Sequence, residues 1–245
     1  LSAITLTLGA DLRARESEAL GTDHRILARF LRQRRDLLEA EARMLADEPR
    51  LRAVAATQDV TRETVDDVLA DVARASGAAR LMIADSAGEL LGVMQERDDA
   101  PVPHAIIEQA LLNGTAHQTT HDREPVELQA QRISYGQRVV GVVVVGRRFL
   151  AEAVAEAHHQ TGAVFVVEHE GALVAWAPRE GPRAPPEATL RELAGLERPS
   201  AARVSAGPTL GGGVESYLRE TRALHADVNV VAARSWTEAR APLVR

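Results

Sequence analysis

Arg132 is the residue whose chemistry is easiest to connect with a ligand, because it lies in the middle of the segment VELQAQRISY, 126–135. The alternation of hydrophobic and polar residues predicts a β-strand, in which side chains two positions apart share a face. Arg132 then shares its face with Leu128, Ala130 and Ser134. A guanidinium in largely apolar surroundings can hold a carboxylate through two parallel hydrogen bonds. The alternative is a solvated or ion-paired arginine of the sheet.

The opposite face of the same strand is a competing pocket wall, formed by Gln129, Gln131 and Tyr135. Only one face can line a pocket, and the sequence leaves both open. His117, in the predicted strand AHQTTH, could donate a hydrogen bond to a ligand or be an ordinary surface histidine. Met82, in the first predicted strand, completes the candidate ligand-binding set.

Composition argues against the common enzyme and metal classes. The chain has no cysteine and its 29 basic residues are all arginine, which excludes thiol nucleophiles, cysteine-ligated metals and lysine chemistry. His117 and His121 are four residues apart, about 13 Å along a strand, too far to share one metal ion. No G-x-S-x-G or H-E-x-x-H motif is present. We therefore expect neither a metal nor a cofactor, and a small hydrolase or isomerase is only an alternative hypothesis.

The net charge is −6 and no basic stripe is visible, so nucleic acid is not an expected partner. No apolar run reaches the 18–20 residues that cross a bilayer. The apolar opening LSAITLTLGA is interpreted either as the clipped end of a membrane anchor or as a disordered leader.

A hairpin pattern occurs twice, at 81–94 and 163–177, and each copy leads through a short helix to another strand pair, 126–149 and 215–236. This order predicts an α+β fold with two antiparallel-sheet domains in tandem. The expected organisation is a helical region at 1–77, a first sheet domain at 78–148, a linker helix at 149–162 and a smaller sheet domain at 163–245.

A long amphipathic helix is predicted over 22–48, with Thr22 or Asp23 as its cap. Its apolar pairs recur every seven residues, as in helix pairing. They are Phe30/Leu31, Leu37/Leu38 and Met44/Leu45. This seam indicates either a dimer helix or a helix that lies on its own domain. Pro49 fits the first turn of a new helix.

These features together resemble the extracytoplasmic double Cache (dCache-type) sensor domains, which are PAS-like domains of bacterial chemoreceptors, sensor kinases and cyclic-dinucleotide enzymes. The resemblance covers roughly residues 24–240 and rests on the long helix, the hairpin RLMIADSAGELLG, the helix end ALLNG and the strand RVVGVVVVGRRF. It implies a periplasmic, membrane-anchored homodimer that binds a small molecule in the membrane-distal domain, here 78–148. The aromatic cage of the amine-binding members is not evident, so an organic anion is the expected ligand. A Cache-like scaffold without a small-molecule ligand is the alternative.

Overall fold

The computed structural model describes residues 2–57, 59–95, 103–120, 126–169, 172–180, 184–195, 205–206, 217–225 and 228–235. Six helices and ten strands are described within these ranges. The helices are α1 (Ser2–Ala46), α2 (Pro49–Ala56), α3 (Arg62–Ser76), α4 (His104–Asn113), α5 (Leu150–Thr161) and α6 (Glu187–Gly195). The strands are β1 (Arg80–Asp85), β2 (Leu90–Gln95), β3 (Thr115–Thr120), β4 (Val126–Tyr135), β5 (Arg138–Arg147), β6 (Val164–His169), β7 (Ala172–Ala177), β8 (Ser205–Ala206), β9 (Tyr217–His225) and β10 (Val228–Ser235).

The predicted α+β architecture is confirmed: a long N-terminal helix precedes two antiparallel sheets of five strands each. The chain divides into two compact units. The first, called the front unit, is Gln33–Phe149; the second, called the rear unit, consists of Leu1–Arg32 and Leu150–Arg245.

The front unit has the strand order β2-β1-β5-β4-β3, with helices on both faces of the sheet. Helix α4 packs on β3, β4 and β5, and helices α2 and α3 pack on the strands β5, β1 and β2. The core under α4 is apolar and consists of Met82, Ala84, Ile106, Ile107, Ala110, Val126, Leu128, Ala130, Val142 and Val144. Because side chains alternate along a strand, the neighbours of these strand residues face α2 and α3.

Local turn and cap chemistry forms several elements of this unit. Asp85 Oδ1 accepts hydrogen bonds from the backbone N–H groups of Ala87 and Glu89, which closes the turn between β1 and β2. Pro49 occupies the first turn of α2, as predicted. Thr61 caps α3. These devices act within a few residues of chain, which is why the sequence alone reveals them.

The rear unit repeats the arrangement with the strand order β7-β6-β10-β9-β8. One face carries a core that includes Leu20 and Leu27 of α1 and Ala153, Val154 and Ala157 of α5. The other face packs against α6 through Leu190 and Leu193. The sheet in each unit therefore lies between helices on both faces.

The predicted start of the long helix at Thr22 or Asp23 is wrong, because α1 is continuous from Ser2. Thr22 donates its hydroxyl hydrogen bond to the carbonyl of Glu18, one turn earlier. Asp23 is 2% exposed and accepts two hydrogen bonds from Arg234 of β10, at 2.7 and 2.9 Å. The aspartate that resembled a cap is instead half of a buried ion pair.

The neighbouring residue His24 is also buried. Its Nε2 lies 3.0 Å from the backbone carbonyl oxygen of Glu220, so this nitrogen carries the proton and donates. Burial lowers the pKa of His24 below its ordinary value of 6.5, despite that hydrogen bond and the nearby acidic groups. The ring is therefore held neutral within the rear unit.

The apolar pairs of α1 are divided by the structure. Leu38 and Leu45 are buried, whereas Leu37 and Met44 are 57% and 64% exposed. In these two pairs one member therefore anchors the helix and the other faces outward, whereas Phe30 and Leu31 are both partly buried against the core of the rear unit. None of the described helices combines the length and the apolarity that a bilayer crossing demands.

Candidate functional site

Arg132 projects from β4 on the face that α4 covers, together with Leu128 and Ala130. Its Nη1 donates a hydrogen bond of 3.5 Å to the carbonyl of Leu111, the third-last residue of α4. That is the one hydrogen bond of the Arg132 side chain within the described parts of the chain, and no carboxylate of those parts pairs with it. A guanidinium has five N–H donors, so several remain for a ligand.

A glycine, Gly114, lies next to the Arg132 guanidinium. Gly114 ends α4 with a φ of 89°, a conformation that glycine adopts without steric cost. Its backbone carbonyl accepts from the Arg132 N–H at 2.9 Å, and a side chain at this position would begin 3.7 Å from Arg132 Nη2. The end of α4 therefore fixes the strand and the arginine without covering the guanidinium with a side chain.

Met82 lies on the same face of the sheet, fully buried in the core under α4. Its thioether is surrounded by apolar side chains, among them Ile106 and Ala110. It can supply an apolar floor to a site on this face, and it offers no polar contact.

Three other candidate residues, His117, Gln129 and Gln131, lie on the opposite face. His117 and Gln129 are direct cross-strand partners of β3 and β4, and Thr115 is opposite Gln131. Gln129 Nε2 donates to Thr115 Oγ1 at 2.6 Å. The amide oxygen of Gln131 is buried and has no hydrogen-bond partner among the described residues. The structure thus separates Arg132 and Met82 from Gln129, Gln131 and His117.

His117 is held by an acidic residue that the sequence did not single out. Its Nε2 lies 2.5 Å from Glu127 Oε2, and Arg35 of α1 approaches the same carboxylate at 3.9 Å. Burial acts to raise the pKa of Glu127, but the hydrogen bond from His117 and the charges of His117 and Arg35 bring this pKa below its ordinary value. The His117 ring is committed to this pair, which makes it a poor donor for a ligand.

Tyr135 lies at the far end of β4 and is 75% exposed. It lines an open cleft of about 270 Å³ where the two hairpin turns meet the end of α2, together with Thr57, Asp85 and Arg138. Tyr135 is therefore separate both from Arg132 and from the glutamine wall.

Arg147, the last residue of β5, contacts two helices of the front unit. Two of its nitrogens bind Glu41 of α1, at 3.0 and 2.7 Å. The same side chain donates to the carbonyls of Ser76 and Gly77 at 2.5 and 2.7 Å, at the end of α3. We call these four groups the Arg147 clasp, since they join β5, α1 and α3.

Metal ligation has no support in the parts that the structure covers, where no group of three or more histidine, aspartate or glutamate side chains could hold an ion. His121, the second histidine considered for a metal, lies outside the described residues.

No protein-family model matches this chain, and no curated protein matches it in sequence. Solved structures do match. The sensory domain of the Campylobacter jejuni chemoreceptor Tlp3 (CcmL) aligns over 96% of this chain and 98% of its own, with 14% identity and a TM-score of 0.56. The sensor domain of the Vibrio cholerae histidine kinase DctB aligns over 92% and 98%, with 12% identity and a TM-score of 0.55.

The periplasmic domain of Vibrio cholerae LuxQ aligns over 88% of this chain and 99% of its own, with 10% identity and a TM-score of 0.57. The shared features are the long helix and the two sheets that follow it. This chain has the fold of the sensory domains of bacterial chemoreceptors and sensor kinases, which is the dCache-type fold that its sequence resembles.

Proposed function

We propose that this chain is the ligand-binding domain of a bacterial membrane receptor, and that it binds a small organic carboxylate at Arg132. The observation that carries the proposal is the state of that guanidinium. It is part-buried on an otherwise apolar sheet face and lacks a carboxylate partner among the described residues. A cation in such surroundings is stabilised by an anion that brings two acceptor oxygens.

The face of β4 that α4 covers is favoured over the opposite face because Arg132 makes a longer contact with the protein than Gln129 or His117 does. Gln129 and His117 already have partners at 2.6 and 2.5 Å, whereas the hydrogen bond of Arg132 is 3.5 Å long. A ligand at Gln129 or His117 would have to replace short contacts, and the free energy gained would be reduced accordingly. The opposite face remains an alternative site because the amide oxygen of Gln131 has no hydrogen-bond partner among the described residues.

Amino acids and simple carboxylic acids are the two ligand classes to separate. The Tlp3 domain has been solved with isoleucine and with L-valine bound, and both carry a carboxylate and an ammonium group. The chain has two tryptophans and two tyrosines in all, so an aromatic cage for the ammonium group has few sources. We therefore expect the carboxylate to be the shared determinant, and the ammonium group to be dispensable.

Isothermal titration calorimetry can test this directly. The purified chain is titrated with isoleucine, valine, propionate and isobutyrate, and with propionamide as the matched neutral control. We expect binding of at least one acid, no binding of the amide, and a loss of about tenfold or more in affinity for Arg132→Gln, because a charge-assisted hydrogen bond is removed.

Arg138→Gln is the comparison variant, since Arg138 is an exposed arginine in the cleft beside Tyr135. Its affinity should equal that of the parent chain. Equal affinity of Arg132→Gln and the parent would refute the assignment, and an effect confined to Arg138→Gln would move the site to the cleft. A chain that binds none of the acids would instead be a Cache-like scaffold without a small-molecule ligand.

We further propose that the receptor is a homodimer that pairs through α1. The support is the outward pair Leu37 and Met44, seven residues apart, with Ala40 between them also exposed. This spacing puts the three residues along one stripe of the helix, as in a coiled-coil seam. Ligand binding that favoured one position of α1 would then be transmitted along the helix, provided that the ligand has different affinity for the two states.

Sedimentation velocity tests the dimer. Leu37→Glu combined with Met44→Glu should convert a dimer to a monomer, because two charges would be buried in the seam. Leu112→Glu is the matched control, since Leu112 of α4 is 81% exposed and lies on another surface. A parent chain that is monomeric at every concentration, or a dimer that the double variant leaves intact, would contradict the proposal.

The proposed location is the periplasm, supported by the fold shared with the periplasmic domain of LuxQ.

A further inference from the structure

Arg219 of the rear unit makes the same kind of hydrogen bond as Arg132 of the front unit, at a different level of its sheet. Arg132 is level with Ala84 near the end of β1, and Arg219 is level with Val164 at the start of β6. Each arginine belongs to the fourth strand in the order of its sheet, β9 in one case and β4 in the other. Each donates through Nη1 to the carbonyl of a leucine that is third from the end of the helix lying between the second and third strands. For Arg132 the acceptor is Leu111 of α4, and for Arg219 it is Leu193 of α6, at 3.3 Å.

The charge environment of Arg219 is also like that of Arg132. Within the described residues it has no carboxylate partner, and its Nε is enclosed without a hydrogen-bond partner. Burial alone lowers the pKa of the Arg219 guanidinium, with no acidic group acting against it. Its neighbours in the core under α6 are apolar, among them Val231, Ala233 and Leu193.

Two other arginines of the rear unit have carboxylate partners. Arg234 of β10 meets Asp23 in a bidentate pair, and the hydrogen bond and charge of that carboxylate raise the pKa of Arg234. Exposed Arg222 pairs with Glu220. A half-buried guanidinium that makes one bond to a helix carbonyl keeps unused donors in a place where water is partly excluded.

We propose that the rear unit holds a second binding site for a small organic carboxylate, with Arg219 as its anion-binding residue. The site takes the carboxylate on the remaining Nη donors of Arg219, against the apolar face formed with α6. It is independent of the site at Arg132, because each arginine is placed by the helix of its own unit. The chain would then carry one carboxylate site in each of its two sheets.

The competing explanation is that Arg219 only caps α6. A cation near the last carbonyls of a helix stabilises that helix. Such a cap predicts a change in stability and no response to a carboxylate. A ligand site predicts a response to the anion that a neutral analogue does not produce.

Nuclear magnetic resonance of the arginine side chains separates these explanations. The Nε–H resonances of Arg132 and Arg219 are identified as those missing from Arg132→Gln and Arg219→Gln, and the remaining spectrum shows whether each variant is folded. The ¹⁵N-labelled chain is then titrated with acetate, propionate and succinate to about 50 mM, which covers affinities in the millimolar range. Propionamide is the matched neutral probe.

We expect the Arg219 resonance to shift and saturate with at least one acid and not with propionamide, and to do so equally in Arg132→Gln. Arg219→Lys, which keeps the charge but loses the paired donors, should weaken that binding by about tenfold. An Arg219 resonance that does not saturate with any of the acids would overturn the proposal, as would the same shift with propionamide. A shift that disappears in Arg132→Gln would also overturn it, since the sites would not be independent. If no acid binds at Arg132, the response of the Arg219 resonance still tests the site in the rear unit.

Discussion

The Arg147 clasp should contribute more to the stability of the front unit than any exposed ion pair of α1. We consider Arg147→Met, which keeps most of the apolar stem of the side chain and removes the charge and the donors. Glu41 is 15% exposed on its side chain and would lose both of its hydrogen bonds from Arg147. The carbonyls of Ser76 and Gly77 would lose their donor at the end of α3.

The expected magnitude follows from this burial. Removing one partner of a fully buried ion pair costs about 3–5 kcal/mol. Because the side chain of Arg147 is 33% exposed, solvent screens part of the interaction, and we expect the free energy of unfolding to fall by about 2–3 kcal/mol. Arg43→Met is the matched control, since Arg43 is 62% exposed and pairs with Glu39 on the same helix. It should change stability by about 0.5 kcal/mol or less.

Urea unfolding followed by circular dichroism gives the free energies, and hydrogen exchange of peptides from β5 and α3 localises the loss. A double-mutant cycle with Glu41→Gln isolates the ion pair, for which we expect a coupling of about 1–2 kcal/mol. A coupling near zero would refute the reasoning, because Arg147 would then act through the two α3 carbonyls or through its stem. A loss for Arg147→Met no larger than that for Arg43→Met would refute the role of the clasp altogether.

Three further changes test the packing and protonation inferred above. His24 has a lowered pKa when folded, so the unfolded chain binds more protons below pH 6.5, and stability should fall as the pH drops below that value. The slope from this one group is at most about 1.4 kcal/mol per pH unit, and thermal melts of His24→Gln between pH 7.5 and 5 should be correspondingly flatter. Gly92→Ala should destabilise by about 1–3 kcal/mol in urea unfolding, because its Cβ would lie 2.6 Å from Val65 Cγ1 and 2.9 Å from Leu69 Cδ1; a neutral result would mean that α3 shifts at little cost. Gly21→Ala should raise stability by about 0.5–1 kcal/mol, since the position is helical and its nearest neighbour would be 3.5 Å away, and a loss in the same assay would show that this space is not free.

Features that depend on a few consecutive residues were predictable from the sequence. The turn at Asp85 and the helix end at Gly77 each use a local hydrogen bond or a positive φ. The period of two in β4 placed Arg132 and Leu128 on one face, as the structure has it. Local chemistry of this kind decides secondary structure wherever no distant contact competes with it.

Features that depend on distant residues were not predictable. Asp23 resembles a helix cap in its own neighbourhood, and only Arg234, 211 residues away, shows why it is buried inside a continuous helix. The clasp likewise joins Arg147 to Glu41, 106 residues earlier. A single sequence contains no signal that pairs these distant residues. A charged residue is then placed on the surface by any prediction from that sequence.

The two candidate arginines show the same limit in the site itself. Arg132 follows its carbonyl partner by 21 residues and Arg219 by 26, and their strands, QAQRISY and YLRETRA, share no pattern that would align them. What they share is the fourth strand of a sheet and a helix-end carbonyl, which come together only after folding. Neither guanidinium has a carboxylate partner among the described residues. A helix cap and an anion-binding site would both produce this arrangement. Only the response of each arginine to a carboxylate distinguishes them, so the arginine resonances decide the matter and stability measurements do not.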